Sequence, residues 1–272
     1  MINNNKNRII ILIIVPCFIL FIMVFASFIT DDMLSVNFSE KNQLPSFKHP
    51  FGTDWLGRDM FLRTVKGLQK SIIIGFISSF FSSIIALIIG GLAATMPKWV
   101  DDIVRIAIDL VLGIPHLILI ILISVLAGRG MKGLIIGITL THWPSLARIV
   151  RSEIIQVKNE QYVLISKKFG KSSWYIFVNH MLPIVFPQYV VGLVLTFPHA
   201  ILHEASATFL GFGLSPEAPS IGIILSESMR YLVNGLWHMA FFPGLALVLL
   251  VLLINRLGEN MSLMLNPYFA RN

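Results

Sequence analysis

Charge is what this sequence has least of. Asp, Glu, Lys and Arg make up only 13% of its 272 residues, against ~25% in ordinary soluble domains, so too few polar side chains are present to cover a water-facing surface. Cysteine is scarcer still. The single Cys17 excludes an intrachain disulfide and any cysteine-based metal knuckle. Acidic residues are also few, 14 against 21 Lys and Arg. A net charge of +7 in a soluble chain would point to nucleic acid, but these cations cluster between long apolar runs, where membrane topology and anionic headgroups account for them. Three motifs are missing as well. The nearest string to a P-loop, Gly67-Leu68-Gln69-Lys70-Ser71, lacks the glycine before the lysine, and there is neither His-Glu-x-x-His nor Gly-x-Ser-x-Gly. Nucleotide hydrolysis and the usual membrane hydrolases therefore have no support in this chain.

Apolar residues fill the space that charge vacates: 56% of the chain, with a mean hydropathy of +0.80. A helix crosses a hydrocarbon core of ~30 Å with about 20 mostly apolar residues. By that measure five runs are clear and one is marginal. Ile9 to Ile29 is uncharged, is too long for a signal h-region and has no small-x-small cleavage site before Asp31 and Asp32, so it reads as a retained helix. Ile72 to Met96 carries Gly75, Ser79 and Ser83 on one stripe and Ser78, Ser82, Ala86 and Gly90 on the next, a spacing that lets helices approach closely. The third run, about Ile103 to Ala127, opens with Arg105 and Asp109, spaced to pair, and bends at Pro115. The fourth, Gly133 to Ala147, is short and holds His142 and Pro144. Leu182 to Leu210 is interrupted by Pro187 and Pro198 and bears His199, His203 and Glu204, while Leu236 to Ile254 is almost wholly apolar.

Six spans put both termini on one side. With that side cytoplasmic, twelve Lys and Arg, Arg271 among them, fall inside and nine outside, a lean toward the N-terminus in. Two connections have structure of their own. Arg148 to Met181 reads as short interfacial helices broken at Gly170. Gly211 to Gly235, with Gly211, Gly213, Pro216, Pro219 and Gly222, reads as a turn-rich loop on the opposite side that dips back into protein. The chain shows no repeat with a period of 20 to 50 residues.

The order Ala-Arg-x-Val-Arg from Ala147, Lys-x-x-x-Tyr-Val from Lys158, Phe169-Gly170, Trp174 and His180-Met181-Leu182-Pro183 resembles the EAA loop of ATP-binding-cassette (ABC) importer permeases, in the C permease of the dipeptide, oligopeptide and nickel branch. Other strings are similar to that branch as well: His49-Pro50-Phe51-Gly52-Thr53-Asp54-Trp55-Leu56-Gly57-Arg58-Asp59, Arg105-x-x-x-Asp109 with Ile114-Pro115, Trp143-Pro144-Ser145-Leu146-Ala147-Arg148, Glu204-Ala205-Ser206-Ala207-Thr208-Phe209-Leu210-Gly211 and Phe242-Pro243-Gly244. They span Ile9 to Pro267 in family order. Leu164-Ile165-Ser166 stands where the family shows Glu-Ala-Ala, so the loop's position is kept while its side chains differ.

The resemblance implies an all-α polytopic membrane protein with the type I importer permease fold and six transmembrane helices. An N-terminal helix and connector (1–70) would precede the core (71–265), which holds the coupling loop 148–182. It implies no enzymatic activity and no cofactor on this chain, with ATP and Mg on partner subunits. The implied partners are a second permease, two ATP-binding subunits or one two-headed ATPase, an extracytoplasmic solute-binding protein and membrane lipid, without nucleic acid. The implied cargo is peptides, nickel or a metal chelate, moved across the cell membrane with both termini cytoplasmic. The implied ATPase-coupling residues are Glu160, Tyr162, Val163, Leu164, Ile165, Ser166, Phe169, Gly170, Trp174, Leu182 and Pro183.

Two further groups invite a site reading from chemistry alone. Asp54, Gly57, Arg58 and Asp59 read as structural: a turn at Gly52-Thr53-Asp54, Asp54 or Thr53 as N-cap of the following helix, and Arg58 paired with Asp54 or Asp59. His199 and His203 lie four apart on one helical face with Glu204 beside them, a possible imidazole–carboxylate site for a borderline metal and a possible lining of the translocation path. Packing against neighbouring helices is the reading favoured for the two histidines, and His116 and His142, each beside a proline, are weaker candidates. Two rivals stay open at this stage. A secondary transporter or channel would need its own buried coupling groups and often a repeat, and an intramembrane metalloenzyme at His199, His203 and Glu204 would need a third ligand and a general base.

Overall fold

The computed structural model describes residues 2–215 and 219–265. Pro216, Pro267 and Arg271 lie outside them. Among the described residues the chain is helical throughout, and its only extended pairing is an isolated bridge between Thr53 and Asp59. Helix α1 is Ile2–Phe28, α2 Met60–Thr95, α3 Lys98–Gly113, α4 His116–Leu126 and α5 Gly130–Lys158; α6 is Gln161–Lys168, α7 Ser173–Ile176, α8 Leu182–Phe209, α9 Ile221–Met229 and α10 His238–Leu265. Helices α1, α2, α5 and α10, together with Ser173–Phe209, are each long and apolar enough to cross a bilayer; α3 and α4 make a sixth span if counted as one, bent by 97°.

That bend follows from Pro115, which cannot donate to the helix ladder and pushes Ile114 out of the helical region, to ψ 137°. The two arms still connect opposite ends of the molecule. Asp101, in the first turn of α3, is paired with Arg151 near the C-terminal end of α5, whereas Ser124 of α4 lies against Gly133 at the N-terminal end of α5. The expected Arg105–Asp109 pair does not form. Arg105 faces Asp102 at 4.0 Å and Asp109 takes Arg148 at 3.0 Å, because α5 runs on past Ala147 and brings its own cations to α3. The fourth span is therefore a full-length helix of 29 residues, and Arg148 to Lys158 belong to it rather than to a loop.

The small-residue stripe of α2 does what its spacing predicts. Gly75, Ser78, Ser79, Ser82, Ser83, Ala86 and Gly90 are all buried, and α2 packs along α5 and α8. The closest approach is at Gly90, where an added Cβ would lie 2.6 Å from the Ala147 carbonyl oxygen. Lys158 Nζ donates to the Ala94 carbonyl at 2.9 Å, so the C-terminal ends of α2 and α5 meet at one end of the bundle. At the other end Lys66 Nζ bonds the carbonyls of Ala26 and Ile29, which sets α1 antiparallel to α2. Helix α1 buries Val15, Ile22 and Ala26, and the chain just past it Ile29, against the bundle, and turns Ile13, Leu20 and Phe21 outward, as a lipid-facing helix should. The turn-rich loop does dip inward: α9 buries Ile221, Gly222, Ile223 and Ile224.

Candidate functional site

Three places gather the residues that the sequence singles out. The first is the α6–α7 segment, at the end where α2 and α5 meet. Helix α6 closes in a Schellman motif, in which Gly170 N–H reaches the Lys167 carbonyl at 3.0 Å and Lys171 N–H the Ser166 carbonyl at 3.3 Å, with Gly170 at φ +74°. Ser172 then caps α7 by accepting from Tyr175 N–H. Val163 is buried as the anchor, and the Ser166 hydroxyl bonds His180 Nε2 at 3.1 Å. His180 also sits between the rings of Tyr162 and Tyr175, in the π-helical turn Phe177–Met181, and so ties α6 to the start of α8. Sequence reading gave His180 only as part of a motif, since its contacts are 14 residues away. Glu160 occupies the N-cap position of α6 without a side-chain cap bond. Partial desolvation, and secondarily the Glu160 carboxylate, push the Tyr162 phenol above its ordinary value.

This segment leaves large apolar side chains uncovered beside the exposed Lys167, Lys168 and Lys171. Tyr162, Leu164, Ile165, Phe169 and Trp174 are exposed, Phe169 by 80% and Trp174 by 74%. Leu182 and Pro183 continue directly into α8. The turn closed by Gly170 thus carries large uncovered aromatics at one end of the bundle.

The second place is the stretch before α2. Asp54, fully buried, accepts from Leu56 N–H and Arg58 N–H at 2.9 Å through Oδ1, and from Arg58 Nε and Arg63 Nη1 at 2.6 Å through Oδ2. Arg63 Nη2 reaches on to Glu227 of α9 at 2.8 Å. The cap of α2 is Asp59, which accepts from Leu62 N–H, not Asp54 or Thr53 as expected: the Asp54 carboxylate is already taken by two guanidiniums. Asp59 also holds His49 Nδ1 at 2.6 Å. The structural reading of this group stands, with Arg63 and Glu227 added to it.

The third place lies behind the α3–α4 bend. A cavity of about 320 Å³ is lined by His116, His142, His199 and His203, with Ser145 and Thr196 among its other walls. The rings of His116, His142 and His203 are 4.6–5.2 Å apart. Glu204 is not with them. One residue further around α8, it accepts from Ser71 Oγ at 2.5 Å and Thr208 Oγ1 at 3.0 Å and is fully buried against α2. The imidazole–carboxylate grouping is corrected accordingly: the histidines face the cavity and the carboxylate joins α8 to α2. His116 and His142, the weaker candidates by sequence, come to the centre because the bend and α5 bring together residues 26 apart in the chain.

A bundle packed on the small-residue stripe of α2, with an exposed glycine-closed turn at one end and a buried charged clasp at the other, is the architecture of a polytopic membrane protein. The comparisons with known proteins agree. The chain belongs to the binding-protein-dependent transport system inner membrane component family, whose model matches residues 84–269. It is 36% identical over 233 residues to the dipeptide transport system permease protein DppC of Bacillus subtilis (strain 168), covering 86% of this chain and 73% of that protein. To the oligopeptide transport system permease protein OppC of the same organism it is 32% identical, covering 97% and 86%. Its fold is similar to a chain of the inward-facing MetNI methionine ABC transporter, with a TM-score of 0.62 and 21% identity over 76% of this chain and 98% of that one. The chain is thus a multi-pass permease component of an ABC importer, a transport subunit and not an enzyme.

Proposed function

We propose that this subunit lines half of a translocation path for peptides, the other half being supplied by a second permease. Relatives named as dipeptide and oligopeptide permeases support the cargo class. Two ATP-binding subunits, or one two-headed ATPase, bind the ATP and Mg and grip the α6–α7 turn, while an extracytoplasmic solute-binding protein delivers the peptide. The α6 end of the bundle is then cytoplasmic, and with it both termini. The observation that carries this reading is the uncovered aromatic edge of Phe169 and Trp174 on a turn fixed by Gly170. Rigid presentation matters here, because motion in a soluble ATPase reaches the bundle only through a contact that does not itself yield.

The test is to replace Tyr162 by Asp and, separately, Gly170 by Pro in the assembled transporter. Proline fixes φ near −65°, which is incompatible with +74° at position 170. Both variants should insert in the membrane while peptide uptake is lost and ATP hydrolysis no longer responds to loaded binding protein. Normal uptake in both would overturn the assignment of the α6–α7 turn.

A further inference from the structure

We propose that His116, His142 and His203 form a binding site for one divalent cation of the borderline transition-metal class, Zn²⁺ or Ni²⁺ in type, with its remaining coordination position open to the cavity beside His199. One ring nitrogen from each of the three lies within 4.8 Å of the others. In a tetrahedral site with metal–nitrogen bonds near 2.1 Å the ligand atoms stand about 3.4 Å apart, so rotation of the side chains closes the gap without moving a helix.

His142 supplies the second, independent observation. Its Nδ1 is 3.0 Å from the Ile138 carbonyl and 3.3 Å from His116 Nε2, and its Nε2 is buried with no hydrogen-bond partner among the described residues. A ring whose Nδ1–H serves a backbone carbonyl leaves Nε2 with a free lone pair, the arrangement in which a metal-ligating histidine is held. His49 Nε2 and both ring nitrogens of His238 are also buried without a hydrogen bond, but among the described residues only His142 belongs to a group of three potential ligands. The three rings also come from three helices, α4, α5 and α8, each at or near a proline: His116 follows Pro115, His142 precedes Pro144 by two residues and His203 follows Pro198 by five.

The donor set decides the class of ion. Three neutral imidazoles suit Zn²⁺, Ni²⁺ or Cu²⁺ and are poor ligands for Mg²⁺ or Ca²⁺, which want oxygen. No carboxylate belongs to the cluster, Glu204 being committed to Ser71 and Thr208. A bound ion keeps its positive charge, so the open position favours an anionic ligand such as the carboxylate of a small chelating molecule over water.

The experiment uses the full chain purified with its co-expressed partners in lipid nanodiscs, without nucleotide, so that its outcome is separate from that of the coupling assignment. Zn²⁺ is titrated against a chromophoric chelator, alone and with one equivalent of glycylhistidine as a carboxylate-bearing chelator, and Co²⁺ serves as the spectroscopic probe. One saturable Zn²⁺ per chain is expected, tighter in the presence of glycylhistidine, with a tetrahedral Co²⁺ ligand-field band. His116→Gln and His203→Gln, both at half-buried positions, should each weaken binding at least tenfold, and His142→Gln should do the same if it folds. Absence of a saturable site, or a site of unchanged affinity in both half-buried variants, would overturn the proposal. Equal affinity with and without glycylhistidine would overturn the part that assigns the open position to an anionic ligand.

Discussion

Replacing Asp54 by Asn is the sharpest test of how the segment before α2 is held. The substitution preserves shape, and one acceptor oxygen for the Leu56 and Arg58 amides, but removes the charge that both guanidiniums share. Arg63 is 4% exposed and Asp54 fully buried, so the substitution leaves two guanidiniums, one of them buried, short of one of their two carboxylates. Breaking such a pair costs ~3–5 kcal/mol. Glu227 still touches Arg63 at 2.8 Å and Arg58 at 3.4 Å, which places the expectation at the lower edge. That is about 3 kcal/mol, or roughly 150-fold in the unfolding equilibrium. Reversible unfolding of the purified chain in mixed SDS micelles would read it, with Arg256→Ala as the control, since the Arg256–Glu259 pair lies in the open and exposed pairs contribute ~0–1 kcal/mol. The double variant Asp54→Asn/Glu227→Gln should depart from additivity, because the two carboxylates hold the same two guanidiniums. If Asp54→Asn costs no more than the Arg256 control, the clasp is not what fixes this segment and the argument fails.

Adjacent glycines on α2 should respond with opposite sign. At Gly90 an added methyl lies 2.6 Å from the Ala147 carbonyl oxygen, so Gly90→Ala should destabilise by about 1–3 kcal/mol. At Gly91 the nearest atom is Phe177 Cζ at 3.5 Å, an ordinary contact, so Gly91→Ala should be neutral or stabilise by up to ~1 kcal/mol through helix propensity. Equal losses in the same unfolding assay would show that α2 and α5 are not pressed together at this point. For orientation, Lys168→Cys in a Cys17→Ser background should react with a membrane-impermeant maleimide only after the cells are opened. Labelling of intact cells would reverse the assignment of the α6 end to the cytoplasm.

Much of the fold is legible in the sequence because its main signal, apolar length, depends on neighbouring residues alone. The runs around Ile9, Ile72, Leu182 and Leu236 all become long helices. What escapes is set by partners distant in the chain. Arg148 and Arg151 look like the start of a charged loop until Asp109 and Asp101 of α3 are seen opposite them, and only then does it make sense that α5 continues. Asp54 looks like a cap until Arg63 claims it. The histidine cluster is invisible for the same reason: periodicity pairs His199 with His203, whereas the bend at Pro115 delivers His116. By contrast, the Gly170 turn is a local device, and its place could be read directly.

The contact at Gly90 also gives α5 a fulcrum. Ala147 rests there, five residues from His142 on one side and eleven from Lys158 on the other. At 1.5 Å per residue the arms are about 7.5 and about 16 Å long. Were α5 to tilt about that point as one body, with Pro144 not bending, His142 would move opposite to Lys158 and about half as far, so that a 2 Å push beside α6 would arrive at the histidine cavity as roughly 1 Å of reversed travel. Gearing of that kind reduces stroke and multiplies force.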